Sequence, residues 1–193
     1  MRFQVDHRFD ASRTAIVELL ADPSFYRGLD LPDLGRPEVL GVRVEGRRAV
    51  VRLRYTFEGG LDPTTVRVLG RDRLTWTQEL EVDRDTATGA FRFEADVDPR
   101  HLHGRGTFVL EDAGGPTLLR FDGEFTVAVP GLGRLLERAV LPRLLHLLEV
   151  EARAADRQLR APVRRPAGAP STRTRREGAA SGGSYTDAHE RSG

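Results

Sequence analysis

The stretch Gly131–Leu159, "GLGRLLERAVLPRLLHLLEVEARAADRQL", decides how the rest of the chain is read. At about 100° per residue, Leu136, Val140, Leu144, Leu147, Val150 and Ala154 gather on one side. Glu149, Arg153 and Arg157 lie on the other. The spacing predicts one long helix, starting after Pro130 and Gly133, with an apolar stripe that needs a partner. Pro142 should kink it, because a mid-helix proline loses a hydrogen bond and clashes with the preceding turn.

The segments before it supply that partner. "RFQVDHRF" (residues 2–9) alternates Phe3, Val5, His7 and Phe9 against polar neighbours, as a strand does. "EVLGVRVEGRRAVVRLRYTFEGG" (38–60) reads as a hairpin turning at Glu45-Gly46-Arg47. Its second arm sets Ala49, Val51, Leu53, Tyr55 and Phe57 against Arg48, Val50, Arg52, Arg54 and Thr56. "LTWTQELEVD" (74–83) puts Leu74, Trp76, Gln78, Leu80 and Val82 on one face, and "GAFRFEADVD" (89–98) does so with Phe91, Phe93, Ala95 and Val97. "GTFVLED" (106–112) and "PTLLRFDGEFTVAV" (116–129) follow, the latter with Leu119, Phe121, Phe125, Val127 and Val129 in phase. One-sided strands joined by short turns imply an antiparallel meander with one buried face.

Between the first strand and the hairpin lies "DASRTAIVELLADPSFYRGL" (10–29). Asp10 or Ser12 can cap a helix carrying Ile16, Val17, Leu19 and Leu20, and Asp22-Pro23 ends it or starts a second short one. "DLPDLGRP" (30–37) is a proline-marked loop, and "DPTTVRVLGRD" (62–72) is a short helix from Pro63 or a loop. A twisted sheet with one apolar face must be covered, and only Leu132–Leu159 is long enough to do it. The expected fold is therefore α+β, a curved antiparallel sheet of about six or seven strands wrapped on the C-terminal helix. Such a wrap tends to leave a gap, and gaps lined by Phe, Tyr and Trp are common apolar ligand sites.

Composition narrows the classes. The chain has 193 residues, 39% hydrophobic and 31% charged, which fits a soluble domain with a real core plus an appendage. Residues 1–160 carry 24 Arg against 26 Asp and Glu, so the expected domain has no basic excess that would favour nucleic acid. Residues 161–193 carry 6 Arg against 3 acidic residues and are rich in Pro, Gly, Ser and Ala, a composition expected to stay disordered. All 30 basic residues are Arg, which reads as codon bias in a GC-rich genome. With no cysteine, disulfides, thiolate zinc sites and cysteine nucleophiles are excluded. No apolar run is long enough to span a bilayer, and the start "MRFQVDHRFD" reads neither as a signal peptide nor as an anchor, so a cytoplasmic location is expected. There is no internal repeat.

The element order, with "HRFDASRTAIVELLADPSF", "LPDLGRPEVLG", "RYTFEGGL", "RVLGRDRLTWTQE", "HGRGTFVLE" and the terminal helix, resembles the START-like helix-grip superfamily. This group is also called SRPBCC, after polyketide cyclases and lipid-transfer proteins. Within it, the chain is most similar to an uncharacterised domain-of-unknown-function family of GC-rich bacteria. The resemblance covers residues 1–160 and implies a hydrophobic cavity for lipids, polyketides, isoprenoids or quinones. No cyclase catalytic residue aligns, so no catalytic residue and no cofactor is carried over.

Five histidines and no cysteine limit the remaining chemistry. His101 and His103 would share a strand face, yet Pro99 before them and Gly104 and Gly106 after them mark a turn or bulge between strands. No third ligand is in pattern, so no metal is expected. His146 sits away from the centre of the helix stripe, and His189 lies in the tail. His7 points inward and needs a hydrogen-bond partner, either as a satisfied core residue or as a polar anchor in the cavity. Gln78 is the other polar residue on the apolar face. The candidate ligand-contacting set is His7 and Gln78, the aromatics Tyr55, Phe57, Trp76, Phe91, Phe93, Phe108, Phe121 and Phe125, and Leu136, Val140, Leu144 and Leu147 of the helix. Arg52, Arg54, Glu79 and Glu81 belong to the solvated face.

Three function classes follow. A binder of a hydrophobic small molecule requires a closed, mostly apolar cavity with no ordered acid/base pair. A cyclase or dehydratase-type enzyme requires His7 or another ionisable group hydrogen-bonded inside that cavity. A protein-interaction module without ligand requires a filled core and an exposed apolar patch or the Arg-rich tail as contact. The oligomeric state is not encoded in any of these features.

Overall fold

Short polar side chains punctuate the helical segment after the first strand. Ser12 Oγ accepts from the Ala15 N–H at 3.3 Å, and Asp22 Oδ1 accepts from the Ser24 N–H at 2.8 Å, with Pro23 in the first turn. Asp22 thus ends one helix and begins the next: α1 is Arg13–Ala21 and α2 is Pro23–Arg27. The structure is a computed structural model, and it describes residues 1–59, 74–129, 131 and 133–161. The expected short helix or loop over 62–72 and the expected disordered tail lie outside the described residues.

The alternating segments become seven strands: β1 Arg2–Phe9, β2 Glu38–Glu45, β3 Arg48–Thr56, β4 Thr75–Asp83, β5 Thr88–Ala95, β6 Leu102–Asp112 and β7 Thr117–Val127. They form one curved sheet in the order β1-β7-β6-β5-β4-β3-β2, with every neighbouring pair antiparallel. The C-terminal helix α3 runs from Gly133 to Arg160 with Pro142 inside it. Gly46, at φ +59°, makes the tight β2–β3 turn, a conformation that glycine adopts without penalty.

Register explains the inner face. Val51, Leu80, Phe91, Gly106, Gly123 and Phe3 stand in one row across β3, β4, β5, β6, β7 and β1. The next row is Leu53, Gln78, Phe93, Gly104 and Phe125. In these rows each phenylalanine has a glycine beside it. A Cβ on Gly104 would lie 2.4 Å from the Phe93 ring, and one on Gly106 would lie 2.3 Å from the Phe91 ring and 2.2 Å from the Asp122 carbonyl oxygen. The rings therefore lie across the glycines of the neighbouring strand, an arrangement open only where no side chain stands. This corrects the expected turn or bulge at Gly104 and Gly106: both are interior to β6 and paired in regular register. Val97 is also reassigned, since β5 ends at Ala95 and Val97 is 51% exposed.

One end of the inner face is sealed. Ala49, Val51, Leu53, Val82, Ala87 and Leu110 are buried there together with Ile16 and Val17 of α1, which packs on β3, β4 and β6. The proline-marked loop adds buried Leu31 and Leu34, and Leu29 just before it is buried too. The helix α3 packs on β7, β1 and α1. The outer face is ionic: Arg92–Glu79 at 3.0 Å and Arg105–Glu124 at 2.8 Å are directly opposite in register, with Arg54–Asp96 at 3.0 Å near one end. Among the described residues no helix is long and apolar enough to cross a membrane.

Candidate functional site

Tyr55 ends the inward series of β3, and its hydroxyl crosses to the covering helix. It donates to Glu151 Oε1 at 3.0 Å, joining residues 96 apart in the chain. Its ring stacks on Trp76 of β4, centroids 5.4 Å apart and planes within 11°. Tyr26 of α2 is buried nearby and donates to the Leu20 carbonyl at 2.8 Å. Of the two described tyrosines, Tyr55 thus binds the Glu151 carboxyl and Tyr26 binds a backbone carbonyl.

Burial governs the electrostatics of this cluster. It raises Glu151 to about 7, because removing charge from water outweighs the hydrogen bond from Tyr55, which favours the carboxylate. Both phenols are pushed well above their ordinary range, first by burial and then by the charge of Glu151. Glu151 lies among protein atoms yet keeps some accessible surface. Among the described residues it has no ion-pair partner.

A second polar point lies five residues further along α3. His7 Nε2 is 3.0 Å from Asp156 Oδ2, and the imidazole meets the Phe9 ring edge-on at 4.6 Å. Both partners are 20% exposed. His7 therefore has the inward orientation its alternation implies, with its hydrogen-bond partner on the covering helix.

The other candidate residues divide by burial. Phe91, Phe93, Phe108 and Phe125 are core residues. Phe57, Trp76, Phe121, Val140, Leu144 and Leu147 are half-buried and pack against that core from sheet and helix. Gln78 is half-buried between Leu53 and Phe93 in its row. Leu136 is half-buried too, near the start of α3, but outside the group packed on the core, and its neighbour Leu135 is 65% exposed. The inner face is thus closed beneath α1 and at Tyr55, while Phe57 and Trp76 keep some accessible surface.

The described surface depressions lie elsewhere. One of about 590 Å³ centres on the Gly106–Gly123 pair and is edged by Arg2, Arg105, Asp122 and Glu124. A smaller one of about 240 Å³ is edged by Arg48, Glu81 and Asp83. The smaller one lies among outer-face side chains, and the larger one also touches Phe3 and Phe91 of the inner row where Gly106 and Gly123 carry no side chain. Exposed large hydrophobic residues among those described are Val42, Val44, Val97 and Leu135, spread over three regions of the fold.

His101 and His103 occupy the β5–β6 turn and the start of β6. His101 Nδ1 is 3.6 Å from Asp98 Oδ2, and His103 Nδ1 is 3.1 Å from the Pro99 carbonyl oxygen. Arg100 holds Asp98 down at about 2 through hydrogen bonds. Among the described residues no three His, Asp or Glu side chains gather as a metal-ligand set. His146 is exposed on α3.

Sequence reasoning missed Glu151 and Asp156. The signal for Glu151 was present: it follows Leu144 and Leu147 by seven and four residues and precedes buried Ala155 by four, so it is a charge in phase with the apolar stripe. The pair it forms with Tyr55 also departs from the simple binding expectation, which required no ordered acid/base pair.

A family model described as "Protein of unknown function (DUF2505)" matches residues 4–159. No curated protein matches the chain. Solved structures do. TTHA0849 from Thermus thermophilus superposes with a TM-score of 0.60 at 19% identity, covering 82% of this chain and 97% of that one. A START superfamily protein from Mycobacterium smegmatis gives 0.53 at 17% identity, with 82% and 96% covered. The di-domain ARO/CYC BexL from the BE-7585A biosynthetic pathway gives 0.52 at 16% identity, with 81% of this chain and 46% of that one covered. These likenesses establish the START-like helix-grip fold.

Proposed function

The chain belongs to the DUF2505 family, and from that premise we propose that its domain binds a hydrophobic small molecule between the sheet and α3. The ligand class is lipid, polyketide, isoprenoid or quinone. The observation that carries this reading is the unequal closure of the inner face. Beneath α1 the side chains are sealed, whereas Trp76 of β4, Phe57 just beyond β3, and Leu144 and Leu147 of the helix keep accessible apolar surface. Apolar surface left open inside a fold gains from a ligand that removes it from water, at roughly 25 cal/mol per Å². The solved relatives include a START superfamily protein and an ARO/CYC protein, which supports the same reading.

Native mass spectrometry of the purified protein, followed by denaturing extraction, tests it. The expected result is a co-purifying apolar mass, or uptake of one from a lipid and quinone panel. An apo mass together with no uptake from the panel would overturn the reading.

The Tyr55–Glu151 pair favours a second reading, a cyclase or dehydratase-type enzyme in the same space. A carboxyl near 7 beside a phenol can give and retake a proton at neutral pH. The discriminating result is turnover of a bound polyketide-type ketone that Glu151→Gln abolishes while leaving its binding in place.

A further inference from the structure

We propose that Tyr55 and Glu151 form a polar anchor that admits neutral, oxygen-bearing apolar ligands and rejects fatty-acid anions. This rests on the binding reading above and adds the chemistry of the ligand's polar end.

The geometry assigns each atom a task. Glu151 Oε1 is occupied by the Tyr55 hydroxyl at 3.0 Å. Oε2 takes no hydrogen bond among the described residues, and the side chain keeps accessible surface. Tyr55 is fixed by its stack on Trp76, so the oxygen it holds is fixed with it. Tyr26 of α2 is close enough for the charge of Glu151 to act on its phenol, and its own hydroxyl is spent on the Leu20 carbonyl. Among the described residues no Arg or His pairs with Glu151, its hydrogen bond comes from the Tyr55 phenol, and Leu147 and Ala155 stand one turn away on α3.

Such a site has a defined preference. A protonated Glu151 donates from Oε2 to a ketone or quinone oxygen, and an ionised one accepts from an alcohol. A ligand carboxylate would bring a second negative charge into a weakly solvated space with no cation to balance it, which is strongly unfavourable. Ketone and quinone binding should weaken as pH rises through the titration of Glu151, because the donated proton is lost.

Trp76 is the only tryptophan in the chain and stacks on Tyr55, so its emission reports on the site directly. The experiment titrates 2-methyl-1,4-naphthoquinone into the full chain at pH 6 and pH 8, with 1-dodecanol and dodecanoate as competitors. Saturable quenching is expected, about fivefold or more tighter at pH 6, as follows from losing one hydrogen bond. Dodecanol should displace the quinone at both pH values and dodecanoate should not at pH 8. In Glu151→Gln, whose amide donates at either pH, the pH difference should vanish and dodecanoate should compete. Circular dichroism confirms that this near-isosteric variant is folded.

If the quinone binds but Glu151→Gln keeps both the pH profile and the rejection of dodecanoate, the anchor is overturned and the binding reading stands. If neither quinone nor dodecanol binds the folded wild-type chain, the binding reading fails and the anchor fails with it.

Discussion

A carboxyl group that folds into a space without a cation must carry its proton or destabilise the protein. Glu151 stands at about 7 in the folded chain, against an ordinary value of about 4.3 for an exposed glutamate. Between these values the folded state holds a proton that the unfolded state has released. Stability therefore falls as pH rises from about 4.3 through 7, and it stays low above that window. Because Glu151 keeps solvent contact, the penalty at pH 8 is discounted to about 1–2 kcal/mol. Glu151→Gln should thus be more stable than wild type by about 1–2 kcal/mol in urea melts at pH 8, with little difference at pH 4. Equal midpoints at both pH values would contradict the burial argument. At the same scale, His7→Ala should lose about 1–2 kcal/mol by removing a partly buried hydrogen bond to Asp156 and a ring contact with Phe9. His7 was legible in the sequence because alternation places it inward. Its partner was not, because nothing local connects residue 7 to residue 156. Tyr55 was legible as an inward aromatic, but its hydroxyl chemistry depends on a residue 96 positions away.

At the scale of elements, the glycines of the inner face are structural residues. Gly106 stands where a Cβ would meet a phenylalanine ring and a backbone carbonyl, and the backbone cannot give way as a flexible side chain does. Gly106→Ala should destabilise by about 3 kcal/mol, at the upper end for an overpacked core. By contrast Gly46→Ala meets no atom within 4 Å and should cost about 1 kcal/mol through its left-handed φ alone. Thermal melts of the two variants should differ clearly, and equal losses would refute the ring-over-glycine account. The strands themselves were readable, since one-sided burial writes a two-residue period into β1, β3 and β5. Gly104 and Gly106 were misread because glycine usually punctuates a chain. What holds them inside β6 is Phe93 and Phe91 across the ladder, a pairing visible only once the register is known. The buried leucines of the 30–37 loop were hidden for a similar reason: proline marks the turn, but not that Leu31 and Leu34 fold inward.

The whole molecule follows from one covering problem. A seven-stranded sheet has more apolar inner surface than α1 closes, and α3 spans the remainder. The long helix with its apolar stripe was legible from its 3.6-residue period, and so was its role as cover. A gap beneath it is what that role leads one to expect and is part of the proposed function, whereas the Tyr55–Glu151 hydrogen bond could not be read from the sequence. Filling the gap should block it. Phe93 is a poor site for this, since its ring already lies on Gly104, so the better variant comes from the helix side. Leu147→Phe should keep the fold and lower affinity for a quinone probe by about tenfold, as overpacking a ligand space does. Removal of residues 162–193 should leave melting temperature and ligand uptake unchanged, because Met1–Ala161 forms a compact unit of its own.

The most direct measurement is amide and indole NMR shift mapping of the full chain as 2-methyl-1,4-naphthoquinone is added. Saturable shifts are expected, concentrated at Tyr55, the Trp76 indole, Phe93, Leu147 and Glu151. Shifts confined to the outer face around Arg105 and Glu124, or to residues beyond 161, would contradict the proposed binding, as would a spectrum that does not change.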